Sequence, residues 1–132
     1  ECCDVNVLGC TALEAAYNES EGWLDELRRY LYENAQTVYR FLEEELPQVT
    51  APPLEGTYLM WLDCRAALHA DEPLEGFSER FADHLRRHAK IILSTGSIYG
   101  NDGEGFERLN IACPRATLLE GLQRLKKGFL CY

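Results

Sequence analysis

Arg108 and Asn110 stand two residues apart in Phe106-Glu107-Arg108-Leu109-Asn110-Ile111-Ala112-Cys113-Pro114-Arg115, a segment that alternates as a β-strand does. The two-residue period puts Leu109, Ile111 and Cys113 on one face and Arg108, Asn110 and Ala112 on the other. An arginine beside an asparagine on the non-core face is suited to holding a small carboxylate, because the guanidinium fork matches it with two charged bonds. The other reading is an ion pair with a neighbouring Asp or Glu. Both stay open on the strand alone.

Other residues invite chemistry and support it less. The run from Gly96 to Gly105 carries glycines at 96, 100, 103 and 105. It lacks the Gly-Lys-Ser/Thr of a phosphate loop, Asp102 and Glu104 would repel phosphate, and no helix opens behind it as in a dinucleotide fingerprint. It reads as a hairpin connection or a binding loop. His84 and His88 are four apart on a helical stretch, a spacing that can bind metal, but Leu85 stands where HExxH needs Glu, and Arg80, Arg86 and Arg87 would oppose a cation. No Gly-x-Ser-x-Gly elbow occurs. The six cysteines, at 2, 3, 10, 64, 113 and 131, contain no Cys-x-x-Cys pair. Cys64 and Cys113 read as buried thiols at strand ends, while Cys2, Cys3, Cys10 and Cys131 lie near the termini, where an incidental disulfide can form.

The elements that must position Arg108 follow from periodicity. Residues 1–10 show none. Thr11 to Tyr17 reads as a short helix, and Asn18 with Glu21 makes a capping box for the next one. There Trp23, Leu27, Tyr30, Leu31, Val38, Phe41, Leu42 and Leu46 recur at helical spacing, and Pro47 ends the run. Gly56 to Asp63 reads as a strand, apolar on both faces and so central and covered. Leu74 to His88 is an amphipathic helix with Phe77, Phe81 and Leu85 inward. Lys90 to Ser94 is a second buried strand. The arginine strand and a last helix complete the chain, with Thr117 and Glu120 as capping box and Leu118, Leu122, Leu125 and Phe129 as buried stripe. No crossover helix separates the second and third strands, so they pair antiparallel. The expected fold is α/β: a two-layer sandwich with a small, mainly antiparallel sheet, helices on one face and a long helix leading in.

Composition sets the outer limits. The 132 residues amount to one domain, and 46% apolar with 27% charged residues is globular composition. A net charge of −9 argues against nucleic acid or an anionic membrane as partner, since both need a basic surface. No apolar run approaches the ~20 residues of a membrane span. The acidic start is unlike a secretory leader, so the thiols are expected reduced and the chain cytoplasmic.

Taken together, the motifs are similar to a known family. TALEAAYNESEGWLDELRRYLYENAQTVYRFLEEELPQV, EGTYLMWLDCRA and KIILSTGSIYGNDGEGFERLNIACPRATLLEGLQRL, over roughly residues 11 to 129, resemble the C-terminal small domain of fold-type-I enzymes dependent on pyridoxal phosphate (PLP). Among these, the chain resembles the MalY/PatB-type cystathionine β-lyases of the class I/II aminotransferase superfamily. The resemblance implies that Arg108 binds the α-carboxylate of an amino-acid substrate. It places Ser97 and Tyr99 in a loop near the substrate entrance, where Thr95-Gly96-Ser97-Ile98-Tyr99-Gly100 departs from the usual Pro-Gly-Ser-x-Phe-Gly. It further implies a C–S β-lyase activity, or transamination, in an intact homodimeric parent that carries PLP on a large domain. The family's cofactor lysine has no counterpart in Lys90, Lys126 or Lys127, so residues 11–132 read as the small domain, 1–10 as a residual edge, and the chain alone as inactive and without covalent PLP. A stand-alone amino-acid-binding or structural α/β module is the rival reading.

Overall fold

The computed structural model describes residues 6–132. The five residues before them, including Cys2 and Cys3, lie outside that range. Seven main elements follow in order: α1 (Val7–Glu19), α2 (Glu21–Glu45), β1 (Leu59–Asp63), α3 (Phe77–His84), β2 (Ser94–Thr95), β3 (Phe106–Asn110) and α4 (Arg115–Leu130). The described residues divide into two compact units, one ending at Glu33 and one running from Asn34 to Tyr132.

The first unit differs from expectation at both ends of α1. The helix starts at Val7, with the Asn6 side chain accepting from the Gly9 amide at 2.7 Å. It runs through Asn18, so the Asn18–Glu21 capping box does not form. The boundary falls at Ser20, whose backbone (φ −109°, ψ 14°) leaves the helical region before α2 begins at Glu21. Good helix formers on both sides keep Asn18 wound, and a residue inside a helix cannot offer its side chain as an N-cap.

In the second unit, β1 and β2 both pair antiparallel to β3, giving the order β1-β3-β2. The small antiparallel sheet and packed helices are as expected; the place of each strand is not. β3 is central. β1 is shorter than expected and lies at an edge, carrying beyond it only a single bridge from Asp63 to Thr50. Its burial alternates, with Met60 and Leu62 in the core and Trp61 and Asp63 half-covered. The run Lys90–Ser94 is not a strand. Lys90 takes a left-handed conformation that turns the chain after α3, Ile92 is 79% exposed, and only Ser94 and Thr95 reach β3, opposite Arg108 and Glu107. An apolar run announces burial without naming a partner, and here the backbone joins the sheet four residues late, at Ser94.

The core gathers the inward face of the sheet and three helices. Val38, Phe41 and Leu42 come from the second half of α2 and Leu46 from just beyond its end, Phe77 and Phe81 from α3, and Leu118, Leu122 and Leu125 from α4. α3 begins at Phe77 rather than Leu74, because Gly76 adopts a left-handed conformation, and it ends in one wide turn over Leu85–Ala89. There Gly128 of α4 packs so closely that a Cβ would lie 2.4 Å from the Leu85 side chain. α4 starts behind Pro114 with no side-chain cap, which leaves Thr117 inside its first turn instead of at the N-cap.

Candidate functional site

β3 delivers Arg108 to the face of the sheet away from the core. Its register partner in β1 is Trp61 and in β2 is Ser94. Partners in register point their side chains to the same side, so these three groups adjoin. Arg108 Nη2 donates to Ser94 Oγ at 3.3 Å, and the guanidinium carbon lies 4.6 Å from the centre of the Tyr99 ring. Tyr99 in turn meets the edge of Trp61, at 5.3 Å between ring centres and 86° between planes. Trp61 also meets Phe106, two residues before Arg108 on the same face, at 6.3 Å and 83°.

What holds Arg108 is therefore an aromatic face and a hydroxyl. Among the described residues no carboxylate pairs with it, and its Nε is buried without a hydrogen-bond partner. The ion-pair reading of the sequence finds no partner here. A guanidinium resting on an aromatic ring still has fork donors to give a carboxylate, whereas one already paired bidentately with Asp or Glu has used them. An open cleft of about 410 Å³ adjoins it, lined by Ser94, Arg108, Asn110, Ala112 and Thr117 among others. A larger hollow, beside Tyr17 and Trp23, lies wholly within the first unit and includes none of the candidate residues.

The loop residues separate. Tyr99 joins Arg108, but Ser97 Oγ donates to Glu79 Oε1 of α3 at 2.5 Å. Asn110 stays on the arginine face, with Oδ1 accepting from the Ala112 amide at 2.8 Å as the strand turns toward α4. That turn is fixed from inside by the buried Asn34. Its amide donates to the Ile111 carbonyl at 2.8 Å and to that of Cys113 at 3.2 Å, while its oxygen accepts from Arg115 Nε at 2.5 Å.

Trp61, Ser94 and Asn34 were missed by sequence reasoning. The first two depend on register, and the third on contacts 77 and more residues distant. Glu107 was also missed, although its place on the apolar face of the strand was a visible signal. It is 1% exposed with neither carboxylate oxygen hydrogen-bonded, and burial with the nearby Glu79 and Glu104 charges pushes its pKa up to about 8. Burial likewise raises the Cys64 thiol strongly, and Glu107 and Asp63 add to the shift. Cys113 is only half-buried, and Cys10 and Cys131 are exposed without a disulfide among the described residues. His84 and His88 stack at 4.6 Å, with His84 Nε2 against the Gly128 carbonyl, and no metal-holding group occurs among the described residues. No helix there is long and apolar enough to cross a membrane.

A three-stranded antiparallel sheet with helices packed on one face is the build of the C-terminal domain of aminotransferase-fold proteins. The structure superposes over 97% of its length on cystalysin of Treponema denticola, a crystal structure that contains a pyridoxal 5'-phosphate cofactor. The TM-score is 0.85, the identity 34%, and 31% of that chain is covered. By sequence, 92% of the chain is 40% identical to cystathionine β-lyase PatB of Bacillus subtilis, covering 30% of it. Protein MalY of Escherichia coli is 35% identical over 91% of the chain, with 29% of its own length covered. No protein-family model matches. The chain is homologous, along nearly its whole length, to a segment of the MalY/PatB-type cystathionine β-lyases, and it spans about a third of the curated relatives it matches.

Proposed function

We propose that this chain is the substrate-carboxylate-binding small domain of a PLP-dependent C–S β-lyase. Such an enzyme cleaves the Cβ–S bond of a cysteine-conjugate amino acid to thiol, pyruvate and ammonia. The observation that carries the proposal is Arg108, held by Tyr99 and Ser94 with no acidic partner among the described residues, in a homologue of cystathionine β-lyases. Arg108 receives the α-carboxylate, and fixing it orients the substrate's Cα. Asn110 and Ser94 flank the position with polar groups, while Trp61 and Tyr99 keep the arginine extended toward it.

Neither Lys90, at the turn after α3, nor Lys126, paired with Glu45, nor the exposed Lys127 lines the cleft beside Arg108. The cofactor lysine of the intact enzyme belongs to polypeptide beyond these residues, in the large domain. Residues 11–132 constitute the small domain, and the parent acts as a cytoplasmic homodimer.

The test is Arg108→Ala in the intact enzyme. Hydrogen bonds to a charged group contribute about 1.5–3 kcal/mol, so KM should rise roughly ten- to a hundred-fold while PLP absorbance is unchanged. An unaltered KM refutes the assignment. Release of thiol and pyruvate in equal amounts from a β-thio amino acid separates the lyase from an aminotransferase, which would need the same carboxylate contact.

A further inference from the structure

Glu107 and Arg108 are neighbours on β3 and face opposite sides of the sheet. The groups around Glu107 describe an acid with nothing to balance it. Glu79 approaches from α3 and Glu104 from the glycine loop, both carboxylates, and the Cys64 thiol lies at the end of β1. Thr95 of β2 is its register partner on one side and Leu62 of β1 on the other. The charges acting on Glu107 are therefore of its own sign.

The two flanks of that site differ in strength. On one side β1 holds β3 through five residue pairs. On the other, β2 holds it through two, and the loop beyond is closed by a few particular ties. Ser97 Oγ bonds Glu79, the Ser78 amide donates to Glu104 Oε1 at 2.7 Å, and the Gly105 amide donates to Ser78 Oγ at 2.7 Å. Gly96 and Gly103 meet so closely that a Cβ on either would lie 2.1 Å from the other's carbonyl oxygen. Two of these ties use the very carboxylates whose charge opposes ionisation of Glu107. The same loop carries Tyr99 to the ring-stacking position on Arg108.

We infer that Glu107 is a proton-controlled positioning residue for Arg108: protonated, it lets β2 and the glycine loop close over it and seat Tyr99 on the guanidinium, and deprotonated, it opens them. An ionised carboxylate cannot stay buried without hydrogen bonds or a counter-charge. Its proton leaves to solvent, water must reach the two oxygens, and the flank with the fewest pairs yields. Glu79 and Glu104 are repelled by the new charge, and their displacement pulls on the bonds to Ser97 and Ser78 that close the loop. The loop then no longer presses Tyr99 against Arg108, so the arginine loses its support. The consequence for substrate binding rests on the function proposed above; the coupling of loop to proton does not.

The experiment uses the 132-residue chain without substrate, so its outcome is independent of the lyase assignment. The Glu107 carboxyl carbon and the ring signals of Tyr99 and Trp61 are followed by NMR from pH 5 to pH 10. We expect Glu107 to titrate near pH 8 and both rings to move with the same midpoint. In Glu107→Gln the rings should keep their low-pH positions throughout. Ring signals that stay still while Glu107 titrates, or that still move in Glu107→Gln, overturn the inference, as does titration of Glu107 in the ordinary carboxylate range. Glu79→Gln, an exposed change that retains an acceptor for Ser97, gives a second arm. It should lower the Glu107 midpoint, and an unchanged midpoint removes Glu79 from the device.

Discussion

The sheet holds two carboxylates, one on each face, Asp63 half-buried and Glu107 fully buried, and their surroundings drive them in opposite directions. Asp63 lies on the arginine face. Arg65 grips both its oxygens, Nε to Oδ1 at 2.9 Å and Nη2 to Oδ2 at 2.5 Å, and stacks over Phe106 at 5.1 Å. Those bonds hold its pKa below the ordinary value. Glu107 lies on the core face with no cation and no hydrogen bond, and its pKa is raised. The difference shows how the sheet divides its work. The outward face carries charge that is supported but open, with Arg108 the member lacking an acidic partner among the described residues. The inward face accepts a carboxyl only while it is neutral.

The sharpest break of this comparison lies in packing. Leu62 is fully buried beside Glu107, while Trp61, its chain neighbour, faces Arg108. Leu62→Ala should cost about 2–5 kcal/mol in urea unfolding, for lost transfer energy and the cavity left behind. Trp61→Leu loses mainly its two ring contacts, about 0.5–1.5 kcal/mol each. If the two variants cost the same, the outward face is as much core as the inward one.

Next in size is the pH dependence that Glu107 imposes. A group whose folded pKa is raised binds its proton more tightly folded than unfolded, so its contribution is complete below the unfolded value and falls as pH rises toward the folded one. Stability should therefore decline between about pH 4.5 and pH 8. At 1.36 kcal/mol per unit, the total is at most about 5 kcal/mol. Urea midpoints across that interval measure it. Glu107→Gln should flatten the curve, and a wild-type curve already flat there would mean that water reaches the carboxylate on the folded chain.

Why these features differ in legibility is a matter of what a local pattern can encode. The two-residue period was enough to place Arg108 opposite Leu109 and Ile111. The helical period likewise found the buried Val38, Phe41 and Leu42, because those residues meet a core. It also drew Trp23 into the same stripe, where 65% of its surface stays exposed in the first unit. Periodicity names a face; it cannot say what covers that face. Lys90–Ser94 failed for the same reason. The central place of β3, and so the meeting of Trp61 with Arg108, needs a register that only pairing across some 50 residues supplies. Asn34 is further removed still, a polar residue within a helical stripe whose partners are carbonyls beyond the sheet. Glu107 alone was in plain view, a charge in step with Leu109 and Ile111.

The smallest effect tests the other carboxylate. Asp63 has a depressed pKa, caused first by its side-chain bonds with Arg65, so its contribution is present above the unfolded value and is lost as pH falls through the folded one. The stability curve of the chain should therefore have an acid limb from Asp63 and an alkaline limb from Glu107, with opposite slopes. Arg65→Ala should weaken the acid limb and leave the alkaline one in place, because the two carboxylates stand on different faces. Salt distinguishes them further. Arg65 is exposed, and roughly 1 M salt, where charges are screened beyond about 3 Å, should shrink the difference between Arg65→Ala and wild type. The alkaline slope should survive the same salt, because its main cause is burial and ions cannot screen a desolvation cost. If both limbs fade together in salt, Glu107 is raised by its neighbours' charge more than by its burial, and the two faces differ in degree only.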